Sequence, residues 1–273
     1  MNVSVNGADL HYQTRGAGPA CLVLSSIGTQ PYARQMPAQL DEHLQLVFVD
    51  LRGGGRSTGQ ASDLTFEVLA DDLEAIRQDL GVDRIAVLGH SIQSILAIEY
   101  GRRRPDSVSH VIAVGAPPIG DMTAVAAAAS RFFEADASEE RKGVLRDNLA
   151  NLPADATFAQ SLWAQTPMRF FDPRFDVPPL FAEAELRPEL LQHLMGTLTP
   201  AWDVTVDAGS LQVPILLAHG RTDYVVPYIL WEGVADKLPG ATLEIFERSG
   251  HQPFVEEPDR FVAAVTDWMA RQR

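Results

Sequence analysis

Short apolar runs alternate with amphipathic stretches at both ends of this chain, and that alternation leaves few folds open. The runs fall at Cys21–Leu24, Leu46–Asp50, Arg84–Leu88, His110–Val114, Pro214–Ala218 and Leu243–Phe246. Between them lie stretches of helical spacing at Tyr32–His43, Thr65–Leu80 and Ile92–Arg104. In the second of these, Phe66, Leu69, Leu73, Ile76 and Leu80 recur on one face. Strands this short and this uniformly apolar have no wet face, so helices must cover a parallel sheet on both sides. Two further strands, Asn2–Val5 and Leu10–Thr14, precede the series.

One junction in the pattern carries chemistry. In Val87-Leu88-Gly89-His90-Ser91-Ile92-Gln93-Ser94 an apolar strand stops at a glycine and restarts as a helix. Such a turn is the nucleophile elbow, which lifts a serine hydroxyl above the sheet. A serine alcohol is a weak nucleophile without a base, and the base needs an orienting acid. Asp223 follows the strand Pro214–Ala218, and His251 follows the strand Leu243–Phe246, with Pro253 and Glu257-Pro258 just beyond. The rival acid is Asp121, just past the sixth strand; the strand-Gly-x-x-Asp context favours Asp223. His90 is too close to Ser91 in sequence to serve as its base and is expected to support the site. His219 ends a strand, which predicts a structural hydrogen bond. Gln93 either packs beside the elbow or turns its amide toward Ser25 and Ser26, and packing is the preferred expectation.

From about Ile119 to Asp207 the strand signal disappears, leaving helical stretches at Met122–Phe133, Glu139–Asn151 and Pro188–Leu198. The alternation resumes at Val213. This predicts a core of residues 1–118 and 208–273 with a helical cap, 119–207, over the catalytic face. The cap is rich in aromatics: Phe132, Phe133, Phe158, Trp163, Phe170, Phe171, Phe175, Phe181 and Trp202. Ligand pockets are mostly apolar, so several of these, with Trp163 and Phe171 named as candidates, are expected to touch a small substrate that has an apolar part.

Composition removes other function classes. At 273 residues and 46% hydrophobic the chain can bury one full core. A net charge of −14 opposes nucleic acid and anionic membranes. Arg102-Arg103-Arg104 closes a helix, where cations complement its dipole. Arg52-Gly53-Gly54-Gly55-Arg56-Ser57 lacks the dinucleotide spacing and the P-loop lysine, so it reads as a structural turn. Neither His-Glu-x-x-His nor a Cys/His cluster occurs, so no metal and no cofactor are expected. The lone Cys21 reads as a buried structural thiol. With no signal-peptide pattern after Met1 and no apolar run of membrane-spanning length, a cytoplasmic location is expected.

Taken together, these residues resemble the α/β-hydrolase superfamily over nearly the whole chain. Ser91, Asp223 and His251 occur in its triad order. Asp50-Leu51-Arg52-Gly53-Gly54-Gly55-Arg56-Ser57 is similar to its turn after the fourth strand, and Gly250-His251 to its terminal histidine motif. The resemblance implies an α/β fold, a mostly parallel eight-stranded sheet with helices on both faces and a helical insertion as lid. Most members carry His-Gly after the third strand, whereas Ser25-Ser26-Ile27-Gly28-Thr29 is similar to the corresponding stretch of 3-oxoadipate enol-lactonases. That match implies an oxyanion hole made by the backbone N–H groups of Ile27 and Ile92. Ile98-Glu99-Tyr100 and Gly115-Ala116-Pro117-Pro118 are loosely similar to proline iminopeptidase-like chains.

The expectation is a cofactor-free serine hydrolase cleaving an ester or lactone through an acyl-enzyme. Proline iminopeptidase-like amide hydrolysis is the nearest alternative and needs a cap carboxylate, with Glu134, Glu183 and Glu185 as candidates. C–C bond hydrolysis, perhydrolysis and a hydrolase-derived ligand sensor stay open.

Overall fold

Eight strands join into one sheet in a computed structural model that describes residues 1–272. They are β1 (Asn2–Val5), β2 (Ala8–Arg15), β3 (Ala20–Ser25), β4 (Gln45–Asp50), β5 (Ile85–His90), β6 (Val108–Val114), β7 (Ile215–Gly220) and β8 (Ala241–Phe246). The spatial order is β1-β2-β4-β3-β5-β6-β7-β8. Only the β1–β2 and β2–β4 pairs are antiparallel, and the remaining pairs are parallel. Every residue of β3, β5 and β7 is buried, which is why these strands read as unbroken apolar runs.

Alternate side chains of each strand feed separate cores. Leu22, Leu24, Val47, Val49 and Val87 pack on one face against α2 (Phe66–Asp79) and α3 (Ile92–Arg103), through Leu69, Leu73, Ile95 and Leu96. Cys21, Val23, Leu46, Phe48 and Leu88 serve the other face. There they meet Tyr32 of α1 (Thr29–Gln35) and, near the C-terminus, Phe254, Phe261 and Trp268. Burial pushes the Cys21 thiol up to about 12, so it is inert packing.

The helix expected over Tyr32–His43 is shorter than its spacing implied. It ends at Gln35, and a separate 3-10 turn follows at Ala38–Glu42. Pro37 accounts for the break: the residue before a proline is forced out of helical geometry, and Met36 sits at φ −66°, ψ 128°.

Between β6 and β7 the chain runs through α4 (Met122–Asp136), α5 (Glu139–Ala150), α6 (Phe158–Ala164), α7 (Thr166–Arg169) and α8 (Pro188–His193). The helix expected to reach Leu198 loosens into a π-turn from Leu194. The only strand-like pairing in this stretch, among the described residues, is a bridge between Ile119 and Asp203. After β7 come two short 3-10 turns, Tyr228–Trp231 and Ala235–Lys237, and no full helix before β8. The short α9 (Pro253–Glu256) and α10 (Pro258–Arg271) close the fold. No described helix is long and apolar enough to cross a membrane.

Arg52 anchors the glycine-rich turn by a buried fork to Asp72, Nε–Oδ2 2.9 Å and Nη2–Oδ1 2.5 Å. It also reaches the carbonyls of Val5 and Asn6. The turn is structural, as its sequence implied. The Arg102–Arg104 cluster is likewise absorbed, by Glu99, Glu67, Asp71 and the carbonyls of Val204 and Val206.

Candidate active site

Ser91 lies between β5 and α3 at φ 58°, ψ −127°, a left-handed position that a non-glycine residue adopts only where the fold imposes it. Its N–H is held by the carbonyl of Val114 at 2.8 Å. A Cβ on Gly89 would lie 2.3 Å from the Gln93 carbonyl, so the close approach of β5 and α3 is accommodated at position 89.

The structure brings the candidate base and the candidate acid into contact. His251 Nδ1 and Asp223 Oδ2 are 2.7 Å apart, with both side chains buried. Asp223 Oδ1 accepts the N–H groups of Val225 and Val226, each at 2.9 Å. Burial alone would raise this carboxyl, but His251 beside it and the Val226 bond hold it below its ordinary value. His251 Nε2 is buried without a partner, the one ring nitrogen left for an external proton. Asp121 is occupied elsewhere: it caps α4 through the N–H groups of Thr123 and Ala124.

His251 is pinned through its main chain as well. Its carbonyl is 2.9 Å from His90 Nε2, and its N–H donates to the Arg169 carbonyl at 2.6 Å. Burial and the neighbouring His251 push His90 well below its ordinary value, so it is neutral. A neutral ring that donates from Nε2 must accept at Nδ1, and the Tyr32 hydroxyl is there at 3.0 Å. His219 is pushed down to about 4 by burial and faces Trp231 at 6.2 Å. Both its ring nitrogens are buried without a hydrogen-bond partner, so it packs and does not make the structural hydrogen bond that its position predicted.

The expected oxyanion donors differ in state. Ile92 opens α3, so its N–H has no partner within the helix. The Ile27 N–H is turned back within its own loop to Ser25 Oγ at 3.2 Å, and that hydroxyl donates to the Gly28 carbonyl at 2.6 Å. Gln93 departs from the packing expectation. Its Nε2 donates to Ser26 Oγ at 2.6 Å, and both residues are buried.

Two candidate substrate contacts lie elsewhere. Phe171 is exposed, with Arg248 over its ring at 5.9 Å, and lines a groove of about 530 Å³ with Phe175, Val255 and Glu256. Trp163 lines a groove of about 300 Å³ with Val144, Pro173 and Arg174. Neither groove includes Ser91, Asp223 or His251. Aromatic content could not distinguish the outer from the inner face of short helices. Glu183 and Glu134 are held by Arg34 and Lys142 at the surface, whereas Glu185 meets the oxyanion loop with its own N–H on the Ile27 carbonyl at 2.8 Å. Among the described residues no cluster of metal-ligating side chains occurs.

Sequence reasoning passed over a brace around Arg169. Arg141 donates to the carbonyls of Pro167, Phe170 and Phe171. Glu256 accepts the N–H groups of Phe171 at 2.5 Å and Gly250 at 2.7 Å. Main-chain bonds of this kind leave no side-chain pattern to read.

Comparison with known proteins gives a consistent picture. A family model described as alpha/beta hydrolase fold matches residues 27–258. The AB hydrolase superfamily protein YclE of Bacillus subtilis (strain 168) is 29% identical over 273 residues, covering 97% of this chain and 96% of that protein. A pimeloyl-[acyl-carrier protein] methyl ester esterase of Pectobacterium atrosepticum is 26% identical, covering 94% and 97%. The solved structure of proline iminopeptidase from Mycobacterium smegmatis superposes with a TM-score of 0.77 at 21% identity, covering 100% of this chain and 98% of that one.

Proposed function

This chain belongs to the α/β-hydrolase family, and from that premise we propose that it is a cofactor-free serine hydrolase acting on a carboxylic ester or lactone. The observation that carries the reading is the buried His251–Asp223 contact of 2.7 Å, with His251 Nε2 left unpartnered. In this reading His251 takes the Ser91 hydroxyl proton as the oxygen attacks the acyl carbonyl. Asp223 fixes the imidazole tautomer, since its hydrogen bond requires the proton on Nδ1, and it stabilises the imidazolium that forms. The Ile92 N–H, with that of Ile27 released from Ser25 Oγ, would hold the developing oxyanion. Water deprotonated by His251 then frees the acyl group. Residues 119–207 serve as the cap over this centre, and the substrate is a small molecule with neither nucleic acid nor membrane as partner.

An esterase relative similar over almost the whole chain supports ester chemistry. Ser91→Ala or His251→Ala is expected to cost about 10⁶ in kcat, because nucleophile and base act as a unit. Asp223→Asn is expected to cost about 10⁴ with the fold intact. Labelling by a fluorophosphonate, located by peptide mass spectrometry, tests the nucleophile directly: modification at any residue other than Ser91 overturns the assignment.

A further inference from the structure

Arg169 is a half-buried cation that the fold leaves without an anion. Its Nε is buried with no hydrogen-bond partner, and its guanidinium makes one long contact, Nη2 to Gln165 Oε1 at 3.3 Å. No carboxylate among the described residues forms an ion pair with it. Arg141, a buried arginine of α5, differs in having three carbonyls around its guanidinium. Desolvation pushes the Arg169 guanidinium down, the signature of a charge taken from water without full replacement. In a chain with 36 acidic and 22 basic residues, an unpaired arginine is not explained by a shortage of carboxylates.

Its position is informative. The Arg169 carbonyl binds the His251 N–H, and the preceding carbonyl, of Met168, binds the Tyr224 N–H at 3.0 Å. The residue therefore sits between the loops carrying the base and the acid. Its charge is felt by both Asp223 and His90, which flank the His251 ring. Asp223 does not use the cation as a hydrogen-bond partner, because His251, Val225 and Val226 already engage its two oxygens. The guanidinium is engaged by no carboxylate, and the backbone of the residue lies against the His251 loop. A guanidinium fork matches the two oxygens of a carboxylate. A second negative charge would be opposed by Asp223, so a single one fits best.

We propose that Arg169 forms a carboxylate-binding subsite of this active centre, so that the preferred substrate carries a free carboxylate close to the scissile acyl group. This rests on the serine-hydrolase reading, and the test separates the two. The probes are the p-nitrophenyl ester of glutarate with its second carboxylate free, and the same ester with that carboxylate methylated. They are equal in reach and differ in charge. Wild type is expected to favour the anionic ester in kcat/KM, and Arg169→Gln to reduce the anionic-to-neutral ratio at least tenfold. Arg169→Lys, which keeps the charge and loses the fork, is expected to fall between and serves if the glutamine variant does not fold. A ratio unchanged from wild type in both variants, whatever the absolute rates, overturns the subsite and makes Arg169 a structural residue. If wild type hydrolyses neither ester, the hydrolase reading fails on its own, and calorimetry with the monoanion monomethyl glutarate decides the subsite. Binding to wild type that Arg169→Gln abolishes supports it, and no binding to wild type refutes it.

Discussion

The bond from Gln93 to Ser26 gives the most quantitative test of how this site is held together. Gln93 follows the elbow in α3, and Ser26 immediately precedes the expected oxyanion donor Ile27. Their contact, Nε2 to Oγ at 2.6 Å, joins two buried side chains. Gln93→Ala leaves the Ser26 hydroxyl buried without its donor, which costs about 1–3 kcal/mol. If all of that were expressed as misplacement of the loop in the transition state, kcat/KM would fall roughly 5- to 150-fold, at about 1.4 kcal/mol per tenfold. Removing an oxyanion donor outright sets the ceiling, about 2.7–4 kcal/mol. A fall of about tenfold to a hundredfold is therefore expected, mainly in kcat, on a small acetate ester that makes few other contacts. Thermal melting of the same protein reports the structural share. Ser26→Ala and the double variant complete a cycle, in which the double loss is expected to be smaller than the sum of the singles. Turnover within twofold of wild type, or fully additive losses, would show that the bond is only packing and that the loop is positioned by other means.

Two further outcomes follow from the structure. Burial, together with the charges of Asp223 and Glu257, pushes the Glu256 carboxyl up to about 8 against the Phe171 and Gly250 bonds that oppose it. A folded value above the unfolded one means stability that is full below the ordinary carboxylate range and lost as pH rises toward about 8. Wild-type Tm is thus expected to fall over that interval relative to Glu256→Gln, and parallel melting curves would contradict the assignment. Trp163→Ala is expected to leave the preference among acyl chains as in wild type, because Trp163 lines a groove apart from the triad. A selective loss on long-chain esters would instead put it in the substrate path.

The sheet and the candidate site were legible for different reasons. Strands β3, β5 and β7 are buried at every residue, so the period-two signal collapses to apolar runs whose alternation with helices leaves one architecture. Ser91, Asp223 and His251 each follow a strand end, where backbone geometry leaves a short local signature. The packing expectation for Gln93 failed because its partner, Ser26, lies 67 residues away in sequence, and nothing local to the elbow shows which way the amide turns. The helix from Tyr32 was drawn too long because apolar spacing continued through Pro37, although proline chemistry was visible in the sequence. Trp163 and Phe171 line grooves that do not include the candidate triad, and in a helix as short as α6 periodicity cannot tell which face looks inward.

The insertion between β6 and β7 is also tied directly to the loops that carry Asp223 and His251. Residues Pro167–Phe171 supply the carbonyls that hold the acid loop at Tyr224 and the base loop at His251. A Cβ on Gly250 would lie 2.2 Å from the Arg169 carbonyl, so the two backbones touch with no side chain between them. Arg141 draws three carbonyls of the same segment onto α5, and Glu256 ties its far end back to Gly250. Any motion that lifted this stretch as a rigid lid would break the His251 and Tyr224 bonds together and disturb the acid and base at once. The contacts from Glu185 to Ile27 and from Arg187 to Gly55 are of another kind, since they touch the oxyanion loop and the glycine turn and neither acid nor base. One part of the insertion is therefore bound to the loops of Asp223 and His251, while the other bears on the Ile27 loop. In the proposed subsite this division would hold Arg169 in a fixed position, because its backbone is fastened to His251.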